Sequence, residues 1–161
     1  MCLPELCVSG YNCEDMFLAE NTRRQAWRSL RELLPDAAGM VVAVGLPILY
    51  QNAVFNAAAL CVDGRIVGLV CKQHLAGDGV HYEPRWFKAW PAGRVARFIV
   101  DDVEYPLGDL LFDVDGVRIG FEICEDAWVA DRPGARHAPR GADVILESQR
   151  QPLRVREGRD S

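Results

Sequence analysis

The chain has 161 residues, half of them hydrophobic and a quarter charged, which is the size and composition of one globular domain. Its net charge of −5 argues against a nucleic-acid-binding surface, which would need to be basic. No apolar run approaches the roughly 20 residues of a membrane span, and the N-terminus lacks the basic region of a signal peptide. We therefore expect a cytoplasmic protein that binds neither nucleic acid nor membrane.

Six cysteines raise the question of disulfides or a metal site. No two of them form a Cys-x-x-Cys pair, and no histidine lies at ligand spacing from another. Without a secretion signal a reducing compartment is expected, where disulfides are rare. We predict no metal site, and we expect most of the cysteines to be small buried hydrophobic side chains.

The first predicted element is a helix within residues 19–36. Thr22 and Gln25 have the spacing of a capping box at its start, and Pro35 would end it. The apolar residues recur at helical spacing and form one face, which comprises Ala26, Trp27, Leu30, Leu33 and Leu34.

The remaining predicted elements are mostly strands. Residues 40–48 form a continuous apolar run typical of a strand buried on both faces. Asp63-Gly64 and Asp115-Gly116 are type I′ turn signals, and each lies between two β-runs, which predicts two hairpins. Residues 130–140 are expected to form a loop or short helix, and residues 142–146 another buried strand. The order of elements predicts an α/β layered domain with a mixed sheet.

Three chemically distinct side chains lie at the ends of predicted β-structure. Glu5 precedes a strand-like stretch, Lys72 ends the first hairpin and Cys124 ends the second. A thiolate is a strong nucleophile, and a nearby ammonium lowers the pKa of the thiol. A carboxylate can accept the thiol proton, and a lysine can stabilise an oxyanion. Spacing alone leaves the structural alternatives open, namely a packed cysteine, a solvated lysine and a surface glutamate.

The segments LPELCVSGY, CKQHL and FEICEDAW that surround these residues resemble the three signature segments of the nitrilase (carbon–nitrogen hydrolase) superfamily. The resemblance implies an α-β-β-α sandwich and amide hydrolysis. It implies that Glu5 is the general base, that Lys72 stabilises the tetrahedral intermediate and that Cys124 is the nucleophile. It also implies that Glu83 positions the site, the alternative being a surface turn residue.

Within the superfamily, GYNCEDMF, the segment 72–87 and CEDAW resemble the glutaminase domain of glutamine-dependent NAD+ synthetases. Simple amidases of the superfamily carry Asp-x-Arg after the nucleophile, whereas this chain has Asp126 and Trp128 at those positions. The resemblance implies attack on the carboxamide of glutamine, a glutamyl thioester and release of ammonia for the ATP-dependent synthesis of NAD+ from nicotinic acid adenine dinucleotide. We also expect Tyr82 and Glu125 to bind the substrate, with the Glu125 N–H as a candidate oxyanion donor.

The resemblance further implies that the glutaminase step needs no cofactor. ATP and magnesium would serve a synthetase domain that has no counterpart in this sequence, and the full-length enzyme is expected to be a homo-oligomer. Two alternatives remain at this point. One is a stand-alone amidase or carbamoylase of the same superfamily, and the other is a remnant without turnover.

Both ends of the chain depart from the family pattern. The strand and helix that precede the glutamate motif in the family are missing, so we expect residues 1–146 to be a partial domain. Residues 147–161 are expected to be an aberrant or disordered tail. Codons can be chosen for this tail so that reading from the next base spells Asn-Pro-Ser-Ala-Ser-Pro-Phe, the motif that the family carries there. We hypothesise a one-base frameshift near codon 147 and an incomplete pocket, with a divergent natural tail as the alternative.

Overall fold

In the computed structural model, residues 1–78 and 81–149 are described, and residues 79–80 and 150–161 lie outside the description. The strands of the described residues form a five-stranded mixed sheet, in the order β1-β2-β3-β5-β4, and a three-stranded sheet, in the order β6-β7-β8. The strands are β1 (Val41–Tyr50), β2 (Ala53–Val62), β3 (Arg65–Cys71), β4 (Val95–Val100), β5 (Val103–Gly108), β6 (Phe112–Val114), β7 (Val117–Ile123) and β8 (Val144–Ser148).

Helices cover the outer faces of the two sheets. Helix α1 (Glu20–Leu33) packs on the five-stranded sheet, with Ala26 and Leu30 against alternate residues of β1. The short helix α3 (Pro133–His137) packs on β7 of the three-stranded sheet, and the four-residue helix α2 (Glu83–Trp86) follows β3. Short 3₁₀ segments span Tyr11–Leu18, which is kinked at Asn12 and Glu14, Pro35–Ala37, Cys124–Ala127 and Ala138–Arg140.

The two sheets face each other across an apolar layer. Leu60 and Val70 of the five-stranded sheet lie in one buried cluster with Ile119 and Phe121 of β7. Because side chains alternate along a strand, the even-numbered residues of β7 face α3 instead. The layers therefore run helix, sheet, sheet, helix, which confirms the predicted α-β-β-α sandwich.

Both predicted hairpins are confirmed. The φ angles are 48° and 70° in the turn Asp63-Gly64, and 51° and 83° in the turn Asp115-Gly116. Type I′ turns require such positive values at both residues. Two further two-residue turns, 51–52 and 101–102, also have positive φ throughout and join β1 to β2 and β4 to β5. The β4–β5 hairpin was not predicted, because neither of these two turns contains the glycine that signals a type I′ turn in a sequence.

Two local predictions were wrong. Helix α1 begins at Glu20, and its N-cap Ala19 offers no side-chain hydrogen bond, so Thr22 lies inside the helix and no capping box forms there. The stretch after Glu5 is not a strand. It turns over residues 5–9 and continues as a 3₁₀ segment.

The last described strand differs from its prediction in position and burial. It spans Val144–Ser148 instead of 142–146, and it lies at the edge of the three-stranded sheet, where most of its residues are partly or fully exposed. Glu147 and Ser148 pair in parallel register with Glu122 and Ile123, so the first two residues of the predicted tail belong to the sheet. The rest of that tail from residue 150 lies outside the described residues, and the frameshift hypothesis stays a prediction.

The cysteines are distributed between core and partly exposed positions. Only Cys61 and Cys71 are buried in the core, whereas Cys2, Cys7, Cys13 and Cys124 are partly exposed, so the prediction that most of the cysteines are buried was wrong. Among the described residues, no group of histidine, cysteine and carboxylate side chains is arranged to hold a metal ion. In the same part of the chain, no helix is long and apolar enough to cross a membrane.

Candidate active site

The turn that carries Glu5 crosses directly over β1 at Gly45. A Cβ atom at Gly45 would lie 2.4 Å from the Leu6 nitrogen and 2.7 Å from the Pro4 carbonyl oxygen, so only glycine permits this approach. The Val8 N–H donates to the Gly45 carbonyl oxygen at 3.3 Å and secures the crossing. Glu5 is thereby placed inside the protein, with 3% of its surface exposed.

Lys72 follows the last residue of β3 and is the positive centre of the site. Its Nζ lies 2.6 Å from Glu5 Oε1 and 2.8 Å from Glu83 Oε2, and all three side chains are buried. Burial opposes the charge on Lys72, but the two carboxylates outweigh it and raise the pKa of the lysine above its usual value. One ammonium cannot fully compensate two buried carboxylates, so burial raises the pKa of Glu5 despite the lysine.

Glu83 begins α2 and is fully buried, which excludes the alternative of a surface turn residue. Besides Lys72, its carboxylate accepts hydrogen bonds from the Tyr11 hydroxyl at 2.9 Å and from the Ala76 N–H at 2.8 Å. Burial raises the pKa of Tyr11 well above its usual range, and the negative charges of Glu83, Glu5 and a Cys124 thiolate add to this shift. Glu83 thus holds the lysine together with Glu5.

Asn56 belongs to this cluster and was not singled out from the sequence. It lies in β2 with 1% of its surface exposed, and its side-chain amide donates to Glu5 Oε1 at 2.7 Å. Its backbone carbonyl accepts from the Lys72 N–H at 2.9 Å. Glu5 Oε2 is buried and has no hydrogen-bond partner among the described residues. The available signal was a single polar residue within the apolar run of β2.

Cys124 lies directly after β7, as predicted, and opens a 3₁₀ turn of four residues. Its φ angle of 49° is in the left-handed region, which costs energy for a residue with a Cβ atom. The thiol is partly exposed. A strained residue held at the end of a rigid core strand is a common way to present a nucleophile.

Asp126 connects the turn of Cys124 to the loop of Lys72. Its side chain is 1% exposed and accepts hydrogen bonds from the backbone N–H groups of Ile123 at 3.1 Å, Gln73 at 3.1 Å and His74 at 2.8 Å. Burial raises the pKa of Asp126 to about 6, and the three hydrogen bonds oppose that shift. The sequence offered no signal for these contacts, because they join two segments about 50 residues apart.

The remaining predicted site residues lie around this core. Glu125 is partly buried in the 3₁₀ turn beside Cys124, and its carbonyl accepts a hydrogen bond from the Trp128 N–H at 3.0 Å. Tyr82 and Trp128 are 62% and 71% exposed and lie outside the buried cluster. Substrate contacts for Tyr82 and Glu125 stay predictions.

Comparison with known proteins gives consistent results. The family model described as carbon-nitrogen hydrolase matches residues 1–160. The glutamine-dependent NAD(+) synthetase of Oryza sativa subsp. indica is 30% identical over 158 residues, which cover 90% of this chain and 21% of that protein. The chain therefore spans about a fifth of the length of the curated relatives it matches.

Solved structures agree with the sequence matches. A glutamine-dependent NAD(+) synthetase from Cytophaga hutchinsonii superposes with a TM-score of 0.85 at 40% identity, over 93% of this chain and 24% of that one. A glutamine-dependent NAD+ synthetase from Acinetobacter baumannii, solved in complex with ADP, superposes with a TM-score of 0.74 at 25% identity, over 94% of this chain and 26% of that one.

Proposed function

The chain belongs to the carbon-nitrogen hydrolase family, and on that premise we propose that it hydrolyses the side-chain carboxamide of glutamine. The observation that carries this proposal is the buried Lys72, held at 2.6 Å from Glu5 and 2.8 Å from Glu83 in the loop that Asp126 ties to the Cys124 turn. Glutamine is the substrate because similar proteins are glutamine-dependent synthetases, and because Trp128 replaces the arginine of simple amidases.

The first half of the reaction forms a thioester. The Cys124 sulfur attacks the carboxamide carbon while Glu5 accepts the thiol proton, for which the carboxylate oxygen Oε2 is available. The raised pKa of Glu5 favours this transfer, because a base works best when its pKa approaches the operating pH. Lys72 and the Glu125 N–H stabilise the oxyanion. The intermediate collapses as the C–N bond breaks, and ammonia leaves with the proton from Glu5.

The second half regenerates the enzyme. Glu5, again ionised, removes a proton from water, and the resulting hydroxide attacks the thioester carbon. The C–S bond breaks, the Cys124 thiolate recovers its proton from Glu5, and glutamate is released. Lys72 stays charged throughout, since its raised pKa keeps the ammonium protonated at neutral pH. This cycle uses no metal or organic cofactor.

The ammonia serves the ATP-dependent synthesis of NAD+ from nicotinic acid adenine dinucleotide in this proposal. The support is the similarity to glutamine-dependent NAD(+) synthetases, of which this chain covers about a fifth. ATP and magnesium would be needed only by the synthetase part of such a protein, which we expect to act as a homo-oligomer.

The direct test is ammonia release from glutamine by the chain and by its Cys124→Ala variant. We expect release by the parent chain and none above background by the variant, because no other nucleophile replaces the thiolate. Cys13→Ala is the matched control, since it removes a partly exposed thiol outside the buried cluster. Equal release by the parent chain and the Cys124 variant would contradict the enzymatic proposal and favour a remnant without turnover. Release from other amides but not from glutamine would instead favour a stand-alone amidase or carbamoylase.

A further inference from the structure

We propose that Asp126 is a positioning residue. It sets the distance between the turn of the nucleophile (Cys124–Ala127, the nucleophile turn) and residues 72–74 (the lysine loop). This inference rests on the proposed function, in which Cys124 and Lys72 act on the same substrate. Asp126 touches neither the buried carboxylates nor the lysine amine through a hydrogen bond among its described contacts. Its hydrogen bonds all go to backbone N–H groups, while its charge interacts with Lys72 through space.

The two catalytic loops belong to different sheets. Lys72 follows β3 of the five-stranded sheet, and Cys124 follows β7 of the three-stranded sheet. The backbone hydrogen bonds of each sheet fix distances within that sheet only, and between the sheets lies an apolar layer. Side-chain packing alone is non-directional, so the spacing of the two loops needs a directional contact.

Asp126 provides that contact with one carboxylate. Oδ2 accepts from the Ile123 N–H, the last residue of β7, and Oδ1 accepts from the N–H groups of Gln73 and His74, the two residues after Lys72. Only an ionised carboxylate offers enough acceptor sites for three donors without presenting a donor of its own. A second tie reaches the same loop, since the Arg136 guanidinium of α3 donates to the Gln73 side chain.

The expected consequence concerns the reactivity of the thiol. A nearby ammonium lowers the pKa of a cysteine thiol, and this effect weakens as the two groups move apart. Loss of the Asp126 contacts would let the lysine loop and the nucleophile turn separate. The thiolate fraction of Cys124 at neutral pH would then fall, even in a protein that remains folded.

The test measures alkylation of Cys124 by iodoacetamide against pH, by mass spectrometry of the peptide that contains it. For Asp126→Asn we expect about a tenfold lower rate near neutral pH, which corresponds to an upward shift of about one unit in the thiol pKa. The isosteric amide keeps the volume of the side chain but places an NH₂ group against backbone donors. Asp126→Glu keeps the charge, and we expect it to restore part of the rate. Asp126→Glu is the milder change, so its alkylation rate is compared with that of the parent chain if Asp126→Asn does not fold.

Glu122→Gln is the matched control. Glu122 is also a buried carboxylate next to the end of β7, but it accepts from the Gly134 N–H on the α3 side of the sheet. We expect its substitution to lower stability while the alkylation profile of the folded protein stays that of the parent chain. A purely structural role for Asp126 would make the two variants behave alike, and that result would overturn the inference.

The alkylation assay needs no glutamine, so the two proposals can fail separately. A chain whose Cys124 alkylation responds to Asp126→Asn but which releases no ammonia retains the positioning role and loses the glutaminase role. A chain that releases ammonia while both Asp126 variants keep the parent alkylation profile and the parent kcat retains the glutaminase role, and the positioning role is then wrong.

Discussion

Replacing Lys72 with methionine tests the charge balance of the buried cluster. The substitution keeps an unbranched side chain of similar length and removes the ammonium between Glu5 and Glu83. Two buried carboxylates then face each other without a cation. We expect this variant to be severely destabilised, because an uncompensated buried charge is among the most costly defects in a protein.

The magnitude follows from the contact distances. At an effective dielectric constant of about 20, each of the contacts of Lys72 at 2.6 and 2.8 Å is worth about 6 kcal/mol of attraction. The desolvation of Lys72, a residue that is 1% exposed, offsets several kcal/mol of this gain. Broken buried pairs accordingly cost about 3–5 kcal/mol, which is a large part of the ~5–15 kcal/mol that stabilises a typical domain.

The loss should also depend on pH. Without the ammonium, the folded-state pKa of Glu5 rises further above its unfolded value, so the folded state binds more protons than the unfolded chain. Stability then falls as the pH rises above about 4.5, the ordinary pKa of this glutamate. The cost of Lys72→Met should therefore be smaller near about pH 5 than near about pH 8.

The assay is urea unfolding of the parent chain, the variant and a surface control. Arg28→Met removes a cation from an exposed pair with Glu32 at 3.6 Å, and we expect a change within about 0.5 kcal/mol. The double variant Lys72→Met/Glu83→Gln should recover about half of the loss by neutralising one carboxylate. A Lys72→Met cost equal to that of the surface control would refute the assignment of a charged, buried lysine.

Three further predictions concern the residues around the lysine. Asn56→Ala should lower kcat for ammonia release by about 10–100-fold with little change in KM, because Glu5 loses the amide that orients it; a parent-like kcat would argue against that role. Gly45→Ala should reduce both stability and kcat, since its methyl group would displace the turn that carries Glu5. An unchanged free energy of unfolding in urea would show that this turn can move without an energetic cost. Asp126 has a raised pKa of about 6 in the folded state, so its folded form retains a proton that the unfolded chain releases. The unfolding free energy should therefore fall by up to about 3 kcal/mol as the pH rises from about 4 to about 6, and Asp126→Asn should flatten that slope in a pH series of urea titrations.

The parts of the fold that the sequence predicts well are those with a local chemical signature. The turns at 63–64 and 115–116 contain a glycine that type I′ geometry favours, and both hairpins form there. The turn at 101–102 has the same backbone conformation with two aspartates. Its hairpin escapes prediction because aspartate adopts positive φ less readily than glycine and is common in other turns.

The residues of the site likewise differ in whether the sequence carries a local signature for them. Glu5, Lys72 and Cys124 each lie within a recognisable segment, and the structure brings Glu5 and Lys72 into contact. Asn56 is recognisable only after the fold is known, because an isolated asparagine in a strand has no partner that a single sequence can identify. The burial of Glu83 likewise depends on the path of the loop after β3.

The charges of Glu5, Lys72 and Glu83 make the burial of each side chain depend on the others. Taken singly, a lysine after a strand or a glutamate in a turn is most often a solvated surface residue. A lysine with 1% exposure is stable only beside carboxylates, and a carboxylate buried beside another needs a cation. Each burial is therefore conditional on the other two, and Asn56 adds the hydrogen bond that leaves one oxygen of Glu5 available as a base. In a single sequence Glu5, Lys72 and Glu83 are three distant residues with no sign that they interact. The fold brings them together, so the dependence of each burial on the other two can be measured.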